Sequence, residues 1–179
     1  MTESRSKKFF YNTLFTALLQ VVNIIATLIV PKFMLKYYGS EINGLVTSIT
    51  QFITYFNLVE AGLSNAAIYA LYKPLAEKDD QRISEIVSAS KKFYMQAGYV
   101  FTALTVILAV VYPLYINIDG FSPYLISLLV VVLGSNGFLE FFTLAKYRVL
   151  LTADQKTYVI SIGSIMHMLL QTAIIAILT

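Results

Sequence analysis

The stretch between Glu41 and Lys73 constrains this chain more than any other feature. It holds 31 residues, and Glu60 is the one formally charged residue among them. As an α-helix with a rise of about 1.5 Å per residue, it would exceed the roughly 30 Å hydrocarbon thickness of a bilayer. A run this long and this poor in charge predicts a membrane-spanning helix rather than the core of a soluble domain.

Four further runs repeat this pattern along the chain. They cover residues 9–31, 93–118, 120–139 and 157–179, and none of them contains Asp, Glu, Lys or Arg. The mean hydropathy is +0.71, and 58% of the residues are hydrophobic while 13% are charged, which is unlike the usual soluble protein. We therefore predict an all-α membrane protein with about five transmembrane helices in a single domain, residues 1–179. The spans are expected at residues 9–34, 42–72, 93–117, 121–145 and 157–179.

The placement of Lys and Arg predicts the orientation. Eleven of the 13 lie in the N-terminal segment and in the second and fourth connections, whereas the first connection has two and the third none. The positive-inside rule then places the N-terminus and the 73–92 loop in the cytoplasm of a multi-pass protein of the cell membrane. Within that loop, Asp79 or Asp80 is expected to cap a short helix lying on the membrane surface.

Several classes of function are disfavoured by residues that the sequence lacks. There is no cysteine and the one histidine is His167, which argues against disulfides and against Cys- or His-rich metal sites. No Asp-x-Asp pair, catalytic His/Asp cluster or phosphate-cradling glycine loop is present. The net charge of +3 is modest. We expect no enzyme activity, no cofactor, no metal and no nucleic-acid partner.

Polar residues recur at three- and four-residue steps within the predicted spans, which places them on one face of each helix. In hydrocarbon such a face must meet protein or water. Two interpretations remain open: hydrogen bonds that join helices, or the wall of a water-filled cavity. A second pattern, the small residues Gly62, Ala66 and Ala70, is typical of close helix packing. The candidates for a substrate cavity are Asn12, Gln20, Asn23, Thr27, Gln51, Thr54, Asn57, Asn136 and Gln171.

Three ionisable residues inside predicted spans are candidates for coupling or gating, because charge in a membrane interior is costly and commonly functional. Glu60 borders the polar face of the second span, and its alternative role is a structural bond to a neighbouring helix. Glu140 lies nearer the end of the fourth span, where solvation alone would explain it. His167 lies in the middle of the fifth span and is either proton-responsive or a packing residue.

Several segments resemble one transporter family. They are Asn12-Thr13, Gln20, Pro31, YYGSEINGL (37–45), LVEAGLSNAAIYALYKPLAEKD (58–79) and YRVLLTADQKTYV (147–159). Together they are similar to the polysaccharide-transporter branch of the multidrug/oligosaccharidyl-lipid/polysaccharide exporter superfamily. This branch contains Wzx-like flippases for O-antigen, capsule and exopolysaccharide repeat units, and the resemblance covers nearly the whole chain.

The resemblance implies a bundle of 12–14 helices, of which this chain would form most of the N-terminal half. We therefore expect a piece of a longer transporter. The implied activity is the flipping of undecaprenyl-pyrophosphate-linked oligosaccharides from the cytoplasmic to the outer leaflet. Lys8, Lys146 and Arg148 are the implied contacts of the diphosphate, with ordinary flanking charge as the alternative.

The expected partners are membrane lipid, the lipid-linked oligosaccharide, a coupling ion (proton or sodium), and the missing C-terminal half or other polysaccharide assembly proteins. Two alternative functions remain. One is export of drugs or metabolites by the same superfamily, and the other is a membrane-embedded enzyme of polysaccharide biosynthesis.

Overall fold

The computed structural model describes residues 5–116, 118 and 121–178, without the side chains of residues 5, 59–61, 63 and 175–178. This part of the chain is helical and contains no strand, although an isolated bridge pairs Ile118 with Phe121. Within it, four helices are long and apolar enough to cross a membrane, or five when the first is divided at an internal break. The predicted all-α class is confirmed, and four or five helices of this length and composition agree with the prediction of about five spans.

Helix α1 runs from Arg5 to Glu77 and is interrupted at Gly39. As an unbroken helix its 73 residues would reach about 110 Å, more than three times the hydrocarbon thickness. Gly39 has φ 83° and ψ 174°, a conformation that is essentially restricted to glycine. The break therefore separates two arms, residues 5–38 and 40–77, which match the first and second predicted spans.

Helix α2 runs from Asp80 to Tyr115. Asp79 is its N-cap, since its carboxylate accepts a 3.0 Å hydrogen bond from the Arg82 N–H, which confirms one of the two predicted caps. The capped helix is not short, however. It continues without interruption through Lys92 into the third predicted span, because no helix-breaking residue separates the polar start from the apolar run.

The fourth predicted span belongs to a continuous helical run of three parts. Helix α3 (Pro123–Leu139) begins behind Ser122, its N-cap, with proline at the favoured first position. A π-helical segment, Glu140–Leu144, follows and leads directly into α4 (Ala145–Ala153). After a short turn, α5 covers Thr157–Leu178.

The chain divides into two compact units. The terminal unit comprises Met1–Asn43 and Leu150–Thr179, and the central unit comprises Gly44–Val149. The single transmembrane domain expected from the sequence stays a prediction.

Glycines bring α2 and α3 into close contact in the central unit. A Cβ atom added to Gly134 would lie 2.5 Å from Cγ2 of Thr105, and one added to Gly137 would overlap the ring of Phe101. Nearby, the Ser127 hydroxyl donates a 2.7 Å hydrogen bond across the helix pair to a backbone carbonyl of α2. Small residues let backbones approach in lipid, where packing rather than the hydrophobic effect joins helices.

Aromatic rings fill the space beside these glycines. Phe101 is 1% exposed, and its ring centroid lies 6.4 Å from that of Phe56 and 5.2 Å from that of Phe141. The second arm of α1 is also tied to α2 by a 2.8 Å hydrogen bond between the hydroxyls of Ser64 and the buried Tyr94. These contacts make the second arm, α2 and α3 one packed body.

Candidate functional site

An ionic cluster joins the start of α1 to the turn before α5 in the terminal unit. The Lys8 ammonium donates hydrogen bonds to the Asp154 carbonyl oxygen (2.9 Å) and to Oδ1 of its carboxylate (2.8 Å). Nζ of Lys156 lies 2.6 Å from Oδ2 of the same carboxylate. Each oxygen of the carboxylate is therefore held by a different lysine, and Lys8 is largely buried in this contact, with 15% of its side chain exposed.

The Asn12 side chain makes a second connection one turn further along α1. Its Nδ2 donates to the Gln155 carbonyl at 2.9 Å, and its Oδ1 accepts from the Tyr158 N–H at 2.8 Å. The first N–H groups of a helix have no partner within that helix, so Asn12 satisfies one of them for α5. For Asn12, the structure favours the helix-joining interpretation over the cavity wall.

An open groove of about 500 Å³ runs along α1 beside this connection. Thr16 and Gln20 are exposed in it, and neither is drawn into the contact that Asn12 makes with α5. The polar row predicted on the first span therefore has two roles. Asn12 joins α1 to α5, whereas Thr16 and Gln20 line an open surface. The groove is lined by Phe9, Asn12, Thr13, Thr16, Ala17, Gln20 and Thr157.

The other predicted cavity residues of the terminal unit lie further along α1 and α5. The Thr27 hydroxyl donates a 2.7 Å hydrogen bond to the Asn23 carbonyl in its own helix. On α5, His167 and Gln171 are exposed. The gating role predicted for His167 stays a prediction.

The second arm of α1 has a buried side and an exposed side in the central unit. Leu45, Ile49 and Ile53 are buried, with at most 7% of each exposed. Gln51, Thr54 and Asn57 are exposed outside that core, and Tyr55 and Leu58 are exposed among them. This arm therefore packs through its apolar face and presents its amides and hydroxyls outward.

Glu140 and Arg148 form an ion pair around the π-helical segment. Nη2 of Arg148 donates a 3.2 Å hydrogen bond to Oε2 of Glu140, and Nη1 lies 2.9 Å from Oε1 as an ion-pair contact. One turn earlier, the exposed Asn136 accepts the Glu140 N–H with its backbone carbonyl. The predicted gating residue Glu140 and the predicted diphosphate contact Arg148 are thus brought together.

Lys146 and Glu60 are the remaining predicted residues, and fewer of their contacts are described. Nζ of Lys146 lies 4.6 Å from the centroid of the Tyr147 ring, so this predicted diphosphate contact makes a cation–π interaction. Glu60 lies on the helical second arm, but its side chain is outside the described residues, so its coupling role stays a prediction. The structure groups Lys8, Asn12 and Gln20 in one unit, and Asn136, Glu140 and Arg148 in the other.

The chain matches no family model, no curated protein and no solved structure. Among the described residues, no three His, Cys, Asp or Glu side chains come together as metal ligands would. The polar surfaces and the ion pairs are therefore the features of this chain that bear on its function.

Acid is expected to weaken the terminal unit through Asp154. Burial raises the pKa of this carboxyl, but hydrogen bonds from Lys156 and Lys8 and their positive charges lower it more, so its pKa lies below the ordinary 3.8. A carboxyl with a lowered pKa in the folded protein stabilises the fold above its unfolded pKa. That stability is lost as pH falls through the folded pKa. We expect a loss of about 1 kcal/mol below about pH 4, measured by thermal unfolding in detergent.

The variant Asp154→Asn should remove this part of the acid sensitivity, because it has no carboxyl to protonate. Asp80→Asn on the exposed first turn of α2 is the matched control and should keep the acid sensitivity of the parent protein. Equal acid slopes for the parent and Asp154→Asn would contradict the assignment to Asp154.

Proposed function

We propose that this chain takes part in moving polyprenyl-diphosphate-linked oligosaccharides from the cytoplasmic to the outer leaflet of the cell membrane, for surface polysaccharide biosynthesis. The observation that carries the proposal is the outward polar face on both arms of α1. On the first arm it is the groove at Thr16 and Gln20, and on the second arm the row of Gln51, Thr54 and Asn57. The resemblance of residues 37–45, 58–79 and 147–159 to the polysaccharide-transporter branch supports the same activity.

Solvation explains why such faces suit a sugar substrate. An unpaired polar group in an apolar medium costs roughly 2–7 kcal/mol, so neither these side chains nor sugar hydroxyls can be left in hydrocarbon. Amides and hydroxyls donate and accept hydrogen bonds, and can replace the water that a sugar loses. The neutral sugar part of the substrate needs no compensating charge along these faces.

The opposite side of the first arm suits a lipid tail. Leu14, Leu18, Val21 and Ile25 are each about half exposed and lie across the helix from the polar row. A helix with one polar and one apolar face allows the sugar to move along the polar face while the polyprenyl chain remains in lipid. Export of a drug or metabolite would need no such lipid-facing path for a tail.

Transfer of a lipid-linked oligosaccharide between leaflets tests the proposal directly. The full chain is placed in vesicles that contain a polyprenyl-diphosphate oligosaccharide, and an added lectin reports how fast sugar from the inner leaflet becomes accessible. We expect Gln20→Leu to slow this transfer about tenfold, because one lost hydrogen bond of about 1.4 kcal/mol changes a rate by that factor.

Gln96→Leu is the matched control, because Gln96 is an exposed glutamine on α2, outside both polar faces. It should transfer the oligosaccharide at the parent rate. Transfer no faster than in protein-free vesicles would refute the proposed activity. Release of trapped drug-like cations without transfer of the oligosaccharide would favour an exporter instead.

A further inference from the structure

The cluster of Lys8, Asp154 and Lys156 lies in a locally positive region. Among the side chains that the structure describes in residues 6–8 and 154–156, Lys7, Lys8 and Lys156 are cationic and Asp154 is the carboxylate, so their net charge is +2. Asp154 brings two of those cations together by binding one with each carboxylate oxygen. The two ammonium groups are thus held beside one carboxylate, and their summed charge exceeds its own.

The cluster also lies at the level of the lipid headgroups. Lys8 and Lys32 are separated by 24 residues on the first arm of α1, or about 36 Å, which exceeds the roughly 30 Å hydrocarbon thickness. The uncharged run of α5 likewise begins directly after Lys156. Tyr11 and Tyr158 pack just inside the cluster, with ring centroids 5.8 Å apart, and such aromatic pairs are typical of the membrane–water interface.

We propose that Lys8 and Lys156 bind the phosphate of an anionic glycerophospholipid of the surrounding bilayer. Lys8 uses two of its three N–H donors for Asp154, and Asp154 keeps the two lysines close together. Basic pockets between membrane helices on the cytoplasmic side are a recurring form of lipid recognition. The positive charge of the two lysines exceeds the negative charge of the carboxylate between them, so the site attracts an anionic phosphodiester at the headgroup level. The site does not depend on what the chain transports.

Retention of phosphatidylglycerol by the purified protein tests this site. The full chain is extracted from vesicles of phosphatidylcholine and phosphatidylglycerol, washed in detergent, and analysed for bound lipid by native mass spectrometry. Lys156→Gln should lower the retained phosphatidylglycerol about tenfold, the effect of losing one charge-assisted hydrogen bond to the lipid phosphate. This variant keeps the 2.8 Å contact between Lys8 and Asp154, so the fold should survive it, which thermal unfolding checks.

Lys91→Gln removes the same charge from an exposed position on α2 and is the matched control. Its retained phosphatidylglycerol should change by less than about twofold, because detergent washing removes lipid held by diffuse attraction alone. Equal losses in both variants, or no loss in Lys156→Gln, would overturn the proposal. Displacement of phosphatidylglycerol by an equimolar polyprenyl diphosphate would also overturn it, because the occupant would then be a different lipid.

Discussion

Replacing Gly137 by alanine is expected to lower the free energy of unfolding of the central unit by about 2–3 kcal/mol, because one added methyl group overpacks the contact between α2 and α3. The methyl group would overlap the ring of Phe101. That ring cannot move aside easily, because it is 1% exposed and packs against Phe56 and Phe141. Unfolding in detergent, followed by the change in helical signal, would measure the loss.

Two further variants separate this contact from the general preference of alanine for helices. Gly44→Ala changes a helical glycine whose added Cβ would meet nothing within 4 Å, and it should be neutral or slightly stabilising. The double variant Gly137→Ala with Phe101→Leu should lose less stability than the sum of the two single variants, because the smaller side chain at position 101 makes room for the methyl group. Additive losses in the double variant would contradict the proposed contact.

Replacing Arg148 by leucine is expected to have the second large effect. Glu140 has 21% of its side chain exposed and lies within a helical run that is long and apolar enough to cross a membrane. Removing the guanidinium takes away the 2.9 Å contact that compensates its charge. The expected loss is about 2 kcal/mol, less than for a fully buried pair because Arg148 is half exposed. Unfolding in detergent at neutral pH gives the measurement.

The double variant Glu140→Gln with Arg148→Leu should regain most of that stability, because a neutral amide needs no countercharge. Lys146→Leu removes the same charge two residues earlier and should cost less, about 0.5–1 kcal/mol for its contact with the Tyr147 ring. If Lys146→Leu and Arg148→Leu were equally destabilising, the ion pair would not be the cause.

The sequence predicts the membrane class and the helical spans well, because long uncharged runs can satisfy their backbone in hydrocarbon in few other ways. It also predicts the interruption before the second span, since Gly39 follows the basic and aromatic end of the first run. The Asp79 cap follows from local residue preferences in the same manner. These features depend only on residues that are close to one another in the sequence.

The roles of individual polar residues depend on distant contacts and could not be predicted. Asn12 and Gln20 share one face of α1, yet only the start of α5 determines that Asn12 joins two helices while Gln20 remains exposed. The pairing of Glu140 with Arg148 was missed because residues eight apart are not neighbours on a regular α-helix. No simple pattern in the sequence predicts the wider turn between them.

The close packing predicted for Gly62, Ala66 and Ala70 stays a prediction, although Ala66 and Ala70 line a cavity of about 260 Å³ together with Ser90, Phe93 and Tyr94 of α2. The ridge of Gly62, Ala66 and Ala70 is exposed in the central unit, and a Cβ on Gly62 would meet nothing within 4 Å. A tight approach occurs at Gly134 and Gly137, which are three residues apart and therefore lie on the same face of α3. Spacing alone does not indicate which small residues face a large ring.

The wide turn at Glu140–Leu144 also affects how the length of this chain can vary. A π turn closes its hydrogen bond over five residues, as the Ala145 N–H does with the Glu140 carbonyl, instead of over four. Deleting one residue here would convert the turn to α-helix and leave the faces of α3 and α4 aligned with their present neighbours. The same deletion within α3 would rotate every later side chain by about 100°. Relatives that differ by one residue in this region could therefore share the same packing on both sides of it.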